Sequence, residues 1–188
     1  MRYAIALLAA AVALALAVGN APAKSSHVLL VGKNGTYKTI QSAVNAAHSG
    51  DWILIAPGDY KEAVSVRKDN LHLRGMSRTG VIVDGTKSGP PCSSKKTDQV
   101  FNRGDKGNGI EVFKANGVSI ENLTVCNFLG AGNQIWWNGG DGSGKIGMSS
   151  YHGSFLSTTS TFFDSKKPQA TYGIFASNAK GPGTITDS

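Results

Sequence analysis

Short apolar runs, each closed by Gly, Asn, Asp or Pro, follow one another through most of this chain. In Leu71-His72-Leu73 and Val118-Ser119-Ile120 the apolar members alternate with polar ones, the pattern of a strand with one buried face. Strands are expected at residues 28–31, 52–56, 63–66, 71–73, 81–83, 110–112, 118–120 and 123–125. Few of the gaps offer the two-residue turns of a meander. Gly109-Ile110, Gln134-Ile135, Ser154-Phe155 and Gly173-Ile174 each open a comparable strand, at intervals of 25, 20 and 19 residues. Repetition near 20 residues predicts a solenoid, in which every coil buries its inward side chains against the next. Composition agrees: 24 glycines in 188 residues and only 16% charged side chains fit a turn-rich β chain and argue against a helical bundle.

One helix is expected. Thr39 is placed to cap it, and Ile40, Ala43, Val44 and Ala47 form a single apolar stripe that ends near Gly50. A lone helix among strands reads as a plug for the N-terminal end of the solenoid. Asn70, Asn116, Asn122 and Asn127 are expected at bends, because Asn tolerates left-handed turn geometry. The polar stretch 86–108 reads as an insertion at a coil turn.

Residues 1–23 read as a secretory signal peptide: Arg2, an apolar run too short to span a bilayer, then Ala21-Pro22-Ala23 as a cleavage site. The alternative is an uncleaved N-terminal anchor. Residues 24–188 form one β domain, and no other segment reads as transmembrane. Export implies an extracellular or periplasmic location, where Cys92 and Cys126 can form a disulfide that closes a loop and stabilises by roughly 3–4 kcal/mol. The alternative is two buried or free thiols. No metal site is expected, since two cysteines lack His partners at finger-like spacing.

The formal net charge of +7 comes from scattered Lys and Arg, which speaks against a nucleic-acid stripe and for acidic polysaccharide or cell-envelope glycan as partner. Two motifs fail on inspection. Gly139 to Lys145 follows the phosphate-loop spacing, but Ile146 stands where Ser or Thr is required, and Asp141-Gly142-Ser143-Gly144 lacks the alternating acids of a calcium loop. His152 has no nucleophile elbow around it.

The segments Gly35-Thr36-Tyr37-Lys38-Thr39-Ile40-Gln41-Ser42-Ala43-Val44 and Gly50-Asp51-Trp52-Ile53-Leu54-Ile55-Ala56-Pro57-Gly58-Asp59-Tyr60 resemble the N-terminal cap and first coil of right-handed parallel β-helix proteins of the pectin-lyase-like superfamily. Pectinesterases open in a similar way. Asn108-Gly109-Ile110-Glu111-Val112 and Val118-Ser119-Ile120-Glu121-Asn122 resemble the generic repeat of bacterial β-helices. The resemblance covers roughly 28–125 and implies an all-β, right-handed parallel β-helix with an N-terminal capping helix. It implies action on, or binding of, acidic polysaccharide, with calcium as a cofactor only if the chemistry is that of a lyase.

A pectinesterase-like site needs two Asp, an Arg and Gln on neighbouring coils, yet no Arg follows Arg103. Gln134 matches one site glutamine. Glu111, Asp141 and Lys145 are the catalytic candidates, and Lys145 near Asp141 comes nearest to the acidic cluster with a basic proton acceptor that a pectate-lyase-like site needs, a cluster that does not align here. If Ile110 and Ile135 share an inward position, Glu111 and Trp136 point outward side by side, a carboxylate beside a ring suited to a sugar, and Phe175 points outward with them. The competing function is a non-catalytic surface or envelope module that binds glycans or serves as structure. The final residues Gly183 to Ser188 stop inside what reads as another coil, so a truncated product or an end buried in an oligomer is expected.

Overall fold

The computed structural model of the protein describes residues 25–98, 107–129, 132–140, 150–159, 172–177 and 181–188. The expected signal peptide lies outside them.

Strands β1 (Val28–Val31), β2 (Trp52–Ile55), β5 (His72–Gly75), β8 (Val118–Glu121), β11 (Tyr151–Ser154) and β14 (Gly183–Thr186) pair in that order as sheet I. Sheet II stacks β3 (Gly58–Tyr60), β6 (Val81–Asp84), β9 (Thr124–Cys126) and β12 (Ser157–Thr159). Sheet III stacks β4 (Val64–Val66), β7 (Ile110–Phe113), β10 (Ile135–Asn138) and β13 (Ile174–Ser177). Every pairing is parallel. From β2 onward the chain visits the three sheets in turn and returns to lie on the strand laid down one circuit earlier. That is a solenoid path, because parallel neighbours cannot be joined by a hairpin.

Inward positions are apolar and stack between coils. Leu29, Ile53, Leu73 and Ile120 form one row in sheet I, and Val66, Val112 and Trp137 another in sheet III. Each fully buried Ile or Leu contributes about 1.5–3 kcal/mol. Trp137, 0% exposed, is the largest of them, and Gly153 makes room for it: a Cβ there would lie 2.9 Å from Trp137 Cη2. Bends between the sheets use left-handed residues: Asn70, Asn122 and Asn127 have φ of 57°, 54° and 60°. Asn116, expected with them, does not.

Helix α1 (Ile40–Ala46) is capped by Thr39, whose hydroxyl accepts from Ser42 N at 3.1 Å. Seven residues are too few for a helix to persist alone. Ile40, Ala43 and Val44 are buried, and α1 packs against β1, β2 and β4. Both ends are also held by side chains of the next coil. Glu62 accepts from Ile40 N at 2.7 Å and Gln41 N at 3.0 Å, and Lys68 Nζ donates to the carbonyls of Val44, Asn45 and Ala47. Negative charge at the start and positive charge at the end both suit the helix dipole. Gln41 then covers the open edge of sheet III, accepting from Ser65 N at 2.6 Å and donating to Ser65 O at 3.2 Å.

One expectation about the repeat needs correction, and a strand was missed. Ser154 does not open a strand equivalent to Gly109: it ends β11 in sheet I, in register with Glu121, and Phe155 follows as an exposed left-handed bend with φ of 52°. The equivalent positions are Gly109, Gln134 and Gly173, each leading into a sheet III strand. Strand β3 was not expected, since Gly58-Asp59-Tyr60 carries only one apolar side chain.

Candidate functional site: the outward face of sheet III

Register puts Ser65, Glu111, Trp136 and Phe175 in one outward row across β4, β7, β10 and β13, with Phe113, Asn138 and Ser177 in the next. Ile110 pairs with Ile135 on the inward side, so Glu111 and Trp136 stand side by side. Neighbouring parallel strands lie about 4.8 Å apart, so successive side chains of a row can touch one ligand.

The row is held in place by its own hydrogen bonds. Trp136 is half-buried and its indole Nε1 donates to Ser177 Oγ at 2.9 Å, while Asn138 Nδ2 donates to Glu111 Oε1 at 3.1 Å and Asn138 Oδ1 accepts from Gly140 N at 3.0 Å. Trp136 and Phe175 rings lie 6.1 Å apart, tilted by 37°, and Tyr172, 49% exposed, stacks on Phe175 at 5.1 Å. Two cations flank this aromatic strip: the Arg67 guanidinium sits 4.5 Å from the Phe113 ring centroid and Lys114 Nζ 5.0 Å from it. The arrangement offers flat apolar surface, one carboxylate acceptor and two cations on one wall.

Gln134 is elsewhere. It is 0% exposed, its Oε1 accepts from Phe128 N at 2.9 Å and its Nε2 donates to Phe128 O at 3.2 Å, so the amide braces the loop before β10. Asp141 and Lys145 lie outside the described residues. The exposed ring of Tyr172, the partly buried ring of Phe113 and the exposed cation Arg67 belong to the same face although sequence reading did not select them. The only available signal for Phe113 was its position two residues after Glu111, which returns a strand side chain to the same face.

The outward face of sheet I is built differently. Trp52 and His72 rings stack at 4.4 Å, His72 Nδ1 and Ser119 Oγ share a hydrogen bond of 2.9 Å, and Arg74 Nη1 meets Glu121 Oε2 at 2.5 Å. Burial, partly offset by Glu121, lowers the His72 pKa below its ordinary value of 6.5, with His152 acting in the same direction as burial. On sheet II a disulfide joins Cys92 to Cys126 and ties the 85–98 loop down over Asp84. Asp59 is raised by burial, then by the neighbouring charge of Asp84, with Lys61 opposing. Among the described residues, Asp84, Cys92 and Cys126 are the group of three His, Cys, Asp or Glu whose ligand atoms converge, and it does not lie on sheet III.

No protein-family model matches the chain. Pectinesterase A of Dickeya dadantii (strain 3937) is 29% identical over 127 residues, covering 64% of this chain and 34% of that protein. Pectinesterase A of Dickeya chrysanthemi is 28% identical over the same length. The chain thus spans about a third of the length of these curated relatives. Among solved structures, pectin methylesterase from carrot matches with a TM-score of 0.47 and 20% identity over 69% of this chain and 41% of that one. The pectin methylesterase of Erwinia chrysanthemi matches with a TM-score of 0.43 and 18% identity over 72% and 46%. The coiled path of parallel strands, taken with the sequence likeness to pectinesterases, supports the chain's place in the pectin-lyase-like superfamily.

Proposed function

We propose that the outward face of sheet III binds acidic polysaccharide, in a protein of pectinesterase type. One observation carries this reading: Glu111, Trp136 and Phe175 align across consecutive coils with Arg67 and Lys114 beside them. Rings of that kind stack on sugar faces, the carboxylate accepts from hydroxyls, and the cations pair with uronate carboxylates. The likeness to proteins named pectinesterase points to the same ligand class.

A second reading, glycan binding without catalysis, is favoured by one feature. Among the described residues of this face Glu111 is the lone carboxylate, whereas ester hydrolysis of the pectinesterase kind calls for two. In the same proposal the coil is right-handed, as parallel crossovers almost always are. Helix α1 closes its N-terminal end, and residues 1–23 direct export to an extracellular or periplasmic location. Among the described residues no helix is long and apolar enough to cross a membrane.

The test is a panel of polygalacturonate, methylated pectin, alginate and neutral glucan, read for binding and for methanol release. Retention by polygalacturonate and not by glucan is expected. Equal retention by both, or by neither, contradicts the reading, and methanol release lost in Glu111→Gln would establish catalysis.

A further inference from the structure

Asp84 ends β6 and is 2% exposed, yet no hydrogen bond reaches its Oδ2. Its Oδ1 accepts from Thr86 N at 2.8 Å and Cys92 N at 3.4 Å. That same oxygen lies 3.3 Å from Cys126 Sγ, which in the disulfide carries no proton to donate. Lys61 Nζ lies 3.6 Å from Oδ2, on a side chain 46% exposed that also reaches Asp59 Oδ2 at 3.7 Å and Thr86 O at 3.2 Å, and the Asp59 carboxyl is close enough to Asp84 for that neighbour to raise its pKa. A buried carboxylate oxygen without a hydrogen bond costs free energy and calls for a cause such as a redox role or an ion.

The ligand atoms of Asp84, Cys92 and Cys126 all lie within 4.8 Å of one another. Cys126 is fixed on β9 in register with Asp84 on β6, while Cys92 arrives from the loop in a left-handed conformation, φ 54°. Asn127 pins that loop by donating to Thr86 Oγ1 at 2.8 Å and Ser93 O at 2.9 Å, so the three groups stay together by bonds other than the disulfide.

We propose that the reduced chain holds a thiophilic divalent cation of the zinc class through Cys92, Cys126 and Asp84, and that the disulfide and the metal are alternative closures of the same loop. An external phosphine gives two electrons to the disulfide and leaves as its oxide by taking the oxygen of a water molecule, whose two protons complete the two thiols. Metal entry then displaces the two thiol protons and forms two metal–sulfur bonds and one metal–oxygen bond. Two thiolates and one carboxylate bring three negative charges to the divalent ion, one more than it carries, and Lys61, whose Nζ lies 3.6 Å from Asp84 Oδ2, offsets the excess. The fourth position is open.

The test uses the full chain, reduced with excess phosphine without oxygen, desalted and titrated with Cd²⁺ and Co²⁺. One equivalent should bind with a sulfur-to-metal charge-transfer band. That band should be absent from the oxidised chain and from Cys126→Ser. In Asp84→Asn the band should persist at an affinity lower by about tenfold or more. If reduction loosens the chain, metal addition should restore its circular dichroism. Three results overturn the proposal: a reduced chain with two titratable thiols and no band, a band unchanged in Cys126→Ser, or an affinity unchanged in Asp84→Asn.

Discussion

Sheets I and III each turn a polar and aromatic row outward, but they dispose of it in opposite ways. On sheet I the groups consume one another: Trp52 stacks on His72, His72 bonds to Ser119, and Arg74 pairs with Glu121. Those contacts run from coil to coil and act as stitching. On sheet III the bonds of Trp136 and Glu111 also run from coil to coil, to Ser177 and Asn138, but Trp136, Phe175 and Lys114 stay partly exposed and Arg67 and Tyr172 exposed, so ring surface and cations remain within reach of a ligand. Composition alone would rank the sheet I row, with two histidines, a serine and an ion pair, as the more catalytic. Pairing reverses that ranking, because a group already satisfied by its neighbour must break a bond before it can meet a ligand.

The comparison sharpens through substitution. His72→Ala should have the largest effect on stability among outward residues, about 2 kcal/mol by denaturant unfolding, since it removes a ring stack and leaves the nearly buried Ser119 hydroxyl without its partner. Binding of polygalacturonate should not change. Trp136→Ala should do the reverse where it matters, weakening polygalacturonate binding by about tenfold, or roughly 1.4 kcal/mol, by calorimetry. An unchanged affinity would erase the distinction between the two faces. Glu121→Gln removes an ion pair whose arginine is substantially exposed, so a loss of about 0.5–1 kcal/mol in unfolding free energy is expected, with binding intact.

Acid should separate the two faces more gently. A histidine whose folded pKa lies below its unfolded value binds fewer protons when native, so its contribution is present above pH 6.5 and fades as pH falls through the lowered value. The melting temperature should therefore decline below pH 6.5 and the His72→Gln variant should lack that part of the decline. Asp51 acts in a more acidic window. Burial raises it, but bonds from His48 N at 2.7 Å and His27 N at 3.0 Å bring its pKa below 3.8 on balance. Its contribution is full above 3.8 and is lost as pH drops through the lower folded value, a step that Asp51→Asn should remove.

The coil was legible where period-two alternation coincided with strands of four residues: Ile110, Glu111, Ile135, Trp136 and Phe175 fell on their observed faces because the parity of a strand is set by its first inward residue. The helix was legible from its cap and stripe. Two three-residue strands, Val64–Val66 and Thr124–Cys126, were still legible from their valines, but another was not. Gly58–Tyr60 has too few side chains to show a period, and Ser154 looked like a coil start because Gly and Ser bends precede strands in all three sheets. Burial of Gln134 was hidden for another reason. Its partners are backbone atoms of Phe128, and nothing in the identity of either residue encodes that loop's return. Asp84 was overlooked because its surroundings come from Cys126, which is 42 residues away and adjacent only through stacking.

The most direct test of the account is a hydrogen-exchange footprint of the intact chain with and without an oligogalacturonate. Protection centred on Ile110–Phe113, Ile135–Asn138 and Ile174–Ser177 is the predicted result. Protection centred on Trp52–Ile55 and His72–Gly75 would place the ligand on sheet I and contradict the assignment of the open face.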